Sequence, residues 1–127
     1  MKTFSQDIPE LQTTLTVTLF QAGTDYILIC QGGQAHVGTV VLAEPRPSLH
    51  GDGSRSATSS VLNALGHKDE SLCRPLAEAV AAATGQRTVC TGGVHIDAIT
   101  PAGLKALKEG ADKLTAAILA GLGSGSL

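Results

Sequence analysis

Between Thr14 and Leu19 polar and apolar side chains alternate without a break, Thr14, Thr16 and Thr18 against Leu15, Val17 and Leu19. A period of two belongs to extended chain, with one set turned to a core and the other to solvent. A chain that begins this way must build a sheet. The turn-forming run from Gln21 to Asp25 follows, and then Tyr26 to Cys30, apolar on both faces as in a central strand.

The rest of the sequence supplies more strands and then a cover for them. Ala35 to Ala43 reads as a third strand, with Val37, Val41 and Ala43 on one face and His36, Gly38, Val40 and Leu42 on the other. A glycine inside a strand marks either a bulge or a place where something approaches the backbone closely. Glu44 to Ser56 changes to Pro, Gly, Ser and charge and is expected to be a loop. Thr58 to Leu65 and Arg87 to Thr91 are read as further strands, the last leading through Gly92-Gly93 into Val94-His-Ile-Asp97.

Two segments change to helical spacing. Leu72, Leu76, Val80 and Ala83 recur on one stripe, Glu70, Arg74 and Glu78 form i,i+4 charge pairs, and Gly85 stands where a C-terminal cap belongs. Pro75 is tolerated only near a first turn, so this helix is expected to begin at Ser71 to Leu72 or to bend. In the second, Thr100 can cap, Pro101 fits the first position, and Leu104, Leu107, Ala111, Leu114 and Ile118 share a stripe that ends at Gly121. The expected fold class is α+β, a mostly antiparallel β-sheet with two helices packed on one face. Residues 1–122 are expected to form one domain and 123–127 a flexible C-terminal tail.

Composition excludes several classes of function. A chain of 127 residues with 43 % hydrophobic and 16 % charged residues is a single globular domain carrying less charge than the ~25 % average. A net charge of −2 gives no footprint for nucleic acid, and Phe4, Phe20 and Tyr26 are too few aromatic rings for a base-stacking platform. No run approaches the ~20 apolar residues of a membrane span, and the N-terminus has no signal-peptide pattern, so a cytoplasmic location is expected. Cys30, Cys73 and Cys90 form no CxxC or CxH pair and read as buried free thiols.

Titratable and polar residues gather in four stretches: His36; Pro45-Arg-Pro-Ser48 with His50; Gly66-His-Lys-Asp-Glu70; and Val94-His-Ile-Asp97. In a turn, His67, Lys68 and Asp69 can fan around a ligand, or Asp69 can cap the next helix. His95 and Asp97, two apart, face the same way, which suits an acid-base pair, part of a metal site, or a histidine held by its neighbour. Arg46, stiffened by a proline on either side, suits a bidentate grip on phosphate or carboxylate, or is an ordinary surface arginine. No GxSxG context or P-loop spacing accompanies them.

Taken in order, Ala35-His-Val-Gly38, Ala43-Glu-Pro-Arg-Pro-Ser-Leu49, Ser56-Ala-Thr-Ser-Ser-Val-Leu62, Gly66-His-Lys-Asp69 and His95-Ile-Asp97 resemble the small D-subunit family of gallate-type decarboxylase systems. That family is described as prenylated-flavin chaperones, related in fold to proteasome-assembly chaperones. The resemblance spans roughly residues 10–120. It implies a cytoplasmic homodimer that binds prenylated FMN (or FMN) and delivers or matures it for a UbiD-like decarboxylase, without being the decarboxylase. On that footing the cofactor-binding residues are His36, Gly38, Arg46, Ser48, Ser56, His67, Lys68, Asp69, His95 and Asp97. Arg46 and Lys68 would neutralise the phosphate, Gly38 would admit the flat ring, and His36, His67 and His95 would meet polar edges or manage protons. Two other readings stay open: a small acid-base or metal-assisted enzyme using His67, Asp69, His95 and Asp97, and a protein-assembly module without ligand. Arg46, the Gly66–Glu70 turn and His95–Asp97 are expected to line one shared pocket.

Overall fold

The computed structural model describes residues 1–66 and 69–123. Its strands are β1 (Lys2–Ile8), β2 (Thr13–Ala22), β3 (Asp25–Gly33), β4 (Thr39–Pro47), β5 (Arg55–Asn63) and β6 (Thr88–His95), with a short 3-10 turn at Pro9–Leu11. Helix α1 (Glu70–Thr84) precedes β6 and α2 (Pro101–Gly123) follows it. The strands lie in the order β1-β2-β3-β6-β4-β5. Among the described residues the β3–β6 pair is parallel and the other four pairs are antiparallel. This is an α+β fold, a mostly antiparallel sheet with both helices on one face.

The Thr14–Leu19 alternation is realised directly: Leu15, Val17 and Leu19 are buried under the helices, beside Leu28, Cys30, Val41, Ala43 and Cys90 of the inner strands. Leu76, Ala77 and Val80 of α1 and Leu107, Leu114 and Ile118 of α2 close that core from above. Burying a Leu, Ile or Val of this kind contributes about 1.5–3 kcal/mol. All three cysteines are free and buried. Hydrogen bonding to Cys73 and burial push the Cys30 and Cys90 thiols well up, which keeps them protonated as small core groups.

Several boundaries differ from expectation for physical reasons. Strand β1 was not expected, because its alternate positions are Lys2, Phe4 and Gln6 rather than a run of aliphatics; they still turn inward enough to be half-buried. β4 begins at Thr39 rather than Ala35, and it continues through Pro45 and Pro47, where a loop was expected. Its pairing with β6 stops at Ala43↔Thr88 while its pairing with β5 continues to Pro47↔Arg55. That leaves one edge open, where proline is tolerated in a sheet. β5 accordingly starts at Arg55 and stops at Asn63.

Helix α1 starts at Glu70, with Pro75 inside it, and closes at Gly85, whose φ of 70° and N–H bond to the Ala81 carbonyl make the expected C-cap. In α2 the Thr100 hydroxyl accepts the Gly103 N–H at 3.0 Å, the expected N-cap. The stripe is corrected at one point: Leu104 is 54 % exposed, and Gly103 and Gly110 are buried instead. A methyl at Gly110 would press on Ile8 at 3.0 Å, so the absent side chain lets α2 lie close against the end of β1. The helix also continues past Gly121 to Gly123, and residues 124–127 of the expected tail lie outside the described residues.

Candidate functional site

The parallel strands β3 and β6 end together, Gly33 opposite His95. Beyond that edge the chain between β6 and α2, the start of α1 and the first half of α2 surround a cavity of about 560 Å³. Its wall is divided. Leu72, Val94, Ile96, Ile99, Leu104 and Leu107 give an apolar side, and His36, Asp69, His95 and Lys108 bring charge.

Asp69 organises the polar side. It occupies the N-cap position of α1, yet its side chain makes no capping bond; its backbone carbonyl accepts the N–H groups of Leu72 and Cys73 instead. The carboxylate is turned the other way. Oδ1 accepts the Val94 N–H at 3.0 Å and Oδ2 meets His36 Nε2 at 2.8 Å, with the Asp69 side chain only 8 % exposed. One side chain thus ties the start of α1, the end of β6 and the segment before β4.

Both ring nitrogens of His36 face acceptors, Nδ1 the Gln34 carbonyl at 3.0 Å and Nε2 the Asp69 carboxylate. Two such bonds need two N–H donors, so the ring is an imidazolium when both are made. The Gln34 carbonyl first, and the Asp69 carboxylate second, hold the His36 pKa above its ordinary value. The second pair, His95 Nε2 to Asp97 Oδ1 at 2.9 Å, joins the two residues that the sequence spacing brings together, but in the open, with side chains 52 % and 78 % exposed.

Gly38 explains how the carboxylate fits. A methyl there would overlap the Asp69 carboxylate and crowd His36, and one at Gly93 would strike the His36 ring. Close approach to the backbone at Gly38, one of the two alternatives its place in the sequence allowed, therefore occurs. The groups that approach are the protein's own Asp69 and His36, and the residue lies just before β4 rather than inside a strand.

Arg46, Ser48 and Ser56 are elsewhere, which corrects the expectation of a single pocket. Arg46 sits near the far end of β4, opposite Ser56 of β5. Its Nε donates to Thr58 Oγ1 at 2.7 Å and its Nη1 to the Pro47 carbonyl at 3.1 Å. Arg46 and Ser48 line a separate depression of about 470 Å³ with Arg55 and Gly85. The separation follows from β4 running straight through a segment expected to turn back. His67 and Lys68 lie outside the described residues.

Sequence reasoning missed three features. The His36–Asp69 pair joins residues 33 positions apart, which no local pattern announces. Ile96 and Ile99 stand in a short irregular link whose apolar residues have no period. Lys108 belongs to a helix face with its own charge pattern, and only the approach of α2 to the end of β6 makes it a cavity residue. Among the described residues, no group of three or more His, Cys, Asp or Glu side chains is placed to hold a metal ion, and no helix is long and apolar enough to cross a membrane.

Residues 10–123 match the family model of the prenylated flavin chaperone LpdD-like domain. The chain belongs to that family. The matched span includes every residue that lines the cavity. A similar solved structure, from a chaperone complex for yeast 20S proteasome assembly, shares 11 % identity with a TM-score of 0.46, covering 91 % of this chain and 99 % of that one. No curated protein gives a significant sequence match.

Proposed function

We propose that this chain binds prenylated FMN (or FMN) in the cavity beyond β3 and β6 and delivers or matures it for a UbiD-like decarboxylase, without decarboxylating the substrate itself. The observation that carries the reading is the division of the cavity wall into an apolar side and a charged side within about 560 Å³, inside the ~300–1,000 Å³ range of small-molecule sites. The residues fit such a ligand: the Leu72, Ile99 and Leu107 side would take a planar ring and its apolar addition, His95, which uses only Nε2 on Asp97, would meet a polar ring edge, and His36, with both ring nitrogens bonded, would border the ring as a held cation. Asp69 would act through His36, fixing its orientation and charge. His67 and Lys68, in the turn before α1, are proposed to complete the polar side. The cofactor supplies the electron-sink chemistry that its recipient enzyme uses; this chain binds, orients and shields.

The proposed working form is a cytoplasmic homodimer. The sheet face away from the helices carries Ile27, Ile29, Leu42 and Val89, half-buried, and Val40 and Leu62, exposed. A second copy on that face would cover these apolar side chains and leave the cavity, which lies beyond the strand ends, accessible.

One sedimentation experiment tests both parts. Loaded with prenylated FMN at tens of micromolar, where a modest interface holds, flavin absorbance should travel with a species of twice the chain mass. Absorbance left behind as free flavin would sink the carrier reading and favour an assembly module. Absorbance moving with a monomer would remove the dimer alone.

A further inference from the structure

The geometry points to Lys108 as the phosphate anchor of this cavity. This inference rests on the flavin-carrier reading and deepens it. Charge singles Lys108 out among the described residues, Lys68 lying outside them. Among the described residues, the basic side chains lining the cavity are His36, His95 and Lys108. His36 is held by Asp69 at 2.8 Å and His95 by Asp97 at 2.9 Å, so neither brings net charge to an anion. Lys108 has no carboxylate within ion-pair distance among the described residues. Its neighbour Lys105, by contrast, reaches Glu109 at 3.9 Å on the same helix.

Position agrees with charge. Lys108 directly follows Leu107 and lies one turn beyond Leu104, and both leucines line the apolar wall. Its four-carbon stem can run along that wall while the ammonium stays wet, the usual compromise of a long cationic side chain. The phosphate would then sit on the α2 side and the ring would extend toward His36 and His95. The competing described cation, Arg46, is at the other end of β4, with its guanidinium directed to Thr58 and Pro47.

The test compares FMN with riboflavin, which lacks the phosphate, binding to the full chain at fixed ionic strength. Wild type should prefer FMN by about tenfold, as one charge-assisted contact implies. Lys108→Ala should lose that preference while keeping its riboflavin affinity, which also shows that the variant is folded. Lys108→Arg should retain most of the preference, and Lys105→Ala all of it. A Lys108→Ala protein that still prefers FMN as wild type does overturns the inference and leaves the carrier reading standing. Failure of wild type to bind either flavin overturns both.

Discussion

At the Gly38 end of β4, His36 and Asp69 meet at 2.8 Å with the carboxylate almost wholly buried, and their bonds join three separate segments of chain. At the Arg46 end, the guanidinium bonds to a threonine hydroxyl across the hairpin and to the carbonyl of the next residue. About eight residues of extended chain separate these ends, roughly 26 Å at ~3.3 Å each. Similar polar residue types therefore have different standing in the fold. The first group holds the cavity together; the second braces only the outer end of the β4–β5 hairpin. A buried carboxylate left without its partners is costly, whereas a half-buried arginine whose acceptors water can reach loses less.

Gly38 is where one substitution should separate the two ends most. Gly38→Ala places a methyl where the Asp69 carboxylate lies, so either the carboxylate leaves His36 and Val94 or the segment before β4 moves. The expected loss is about 2–4 kcal/mol of folding stability, combining overpacking with lost charge-assisted bonds, together with weaker flavin binding. Urea unfolding measures the first and titration the second. A Gly38→Ala midpoint equal to that of wild type would mean that the Asp69 cluster does not hold this end of the sheet.

A smaller effect separates the ends by pH. Because His36 is raised above its ordinary value by the Gln34 carbonyl and then by Asp69, its pair stabilises the protein fully below about 6.5, the unfolded value. That contribution is lost as pH rises through the higher folded value. The stability difference between wild type and His36→Ala should be widest near pH 6 and shrink toward pH 9. NMR titration of the His36 ring protons should show a midpoint above that of an unfolded-chain histidine. A difference that grows with pH, or a midpoint at or below the unfolded value, would remove the imidazolium from the site.

What the sequence disclosed and what it concealed divides along the same line. Local periodicity revealed β2, the inner strand Tyr26–Cys30 and both helices, since one face of each is aliphatic and turns or caps mark its ends. Periodicity gave no hint of β1, whose inward positions are mixed, and it was misled by Pro45 and Pro47, which look like a loop unless one knows that β6 stops short of them. In the candidate site the His95–Asp97 pair was legible because the partners are two residues apart. The His36–Asp69 pair and Lys108 were not, because they depend on how α1 and α2 settle on the end of the sheet. Ordered polar motifs carry the family but not the distances between them, and Arg46 does not reach the pocket that its motif suggests.

The smallest expected effect is therefore at Arg46, and it tests that correction directly. Removing the guanidinium costs one bond to Thr58 and one to a carbonyl already close in sequence, and each acceptor lies where water can replace the donor. Arg46→Ala should change folding stability by no more than about 1 kcal/mol and leave affinities for FMN and riboflavin within twofold of wild type, roughly 0.4 kcal/mol. Lys108→Ala in the same titration gives the contrast, a selective loss for FMN. A tenfold loss of FMN affinity in Arg46→Ala would bring the two ends of β4 into one site after all. In a single chain the strand between them forbids that, so such a result would require the hairpin of a second copy to reach the cavity of the first. Mixing Arg46→Ala with Lys108→Ala protein would then restore one complete site per dimer, an outcome that a site confined to one chain cannot produce from those two variants.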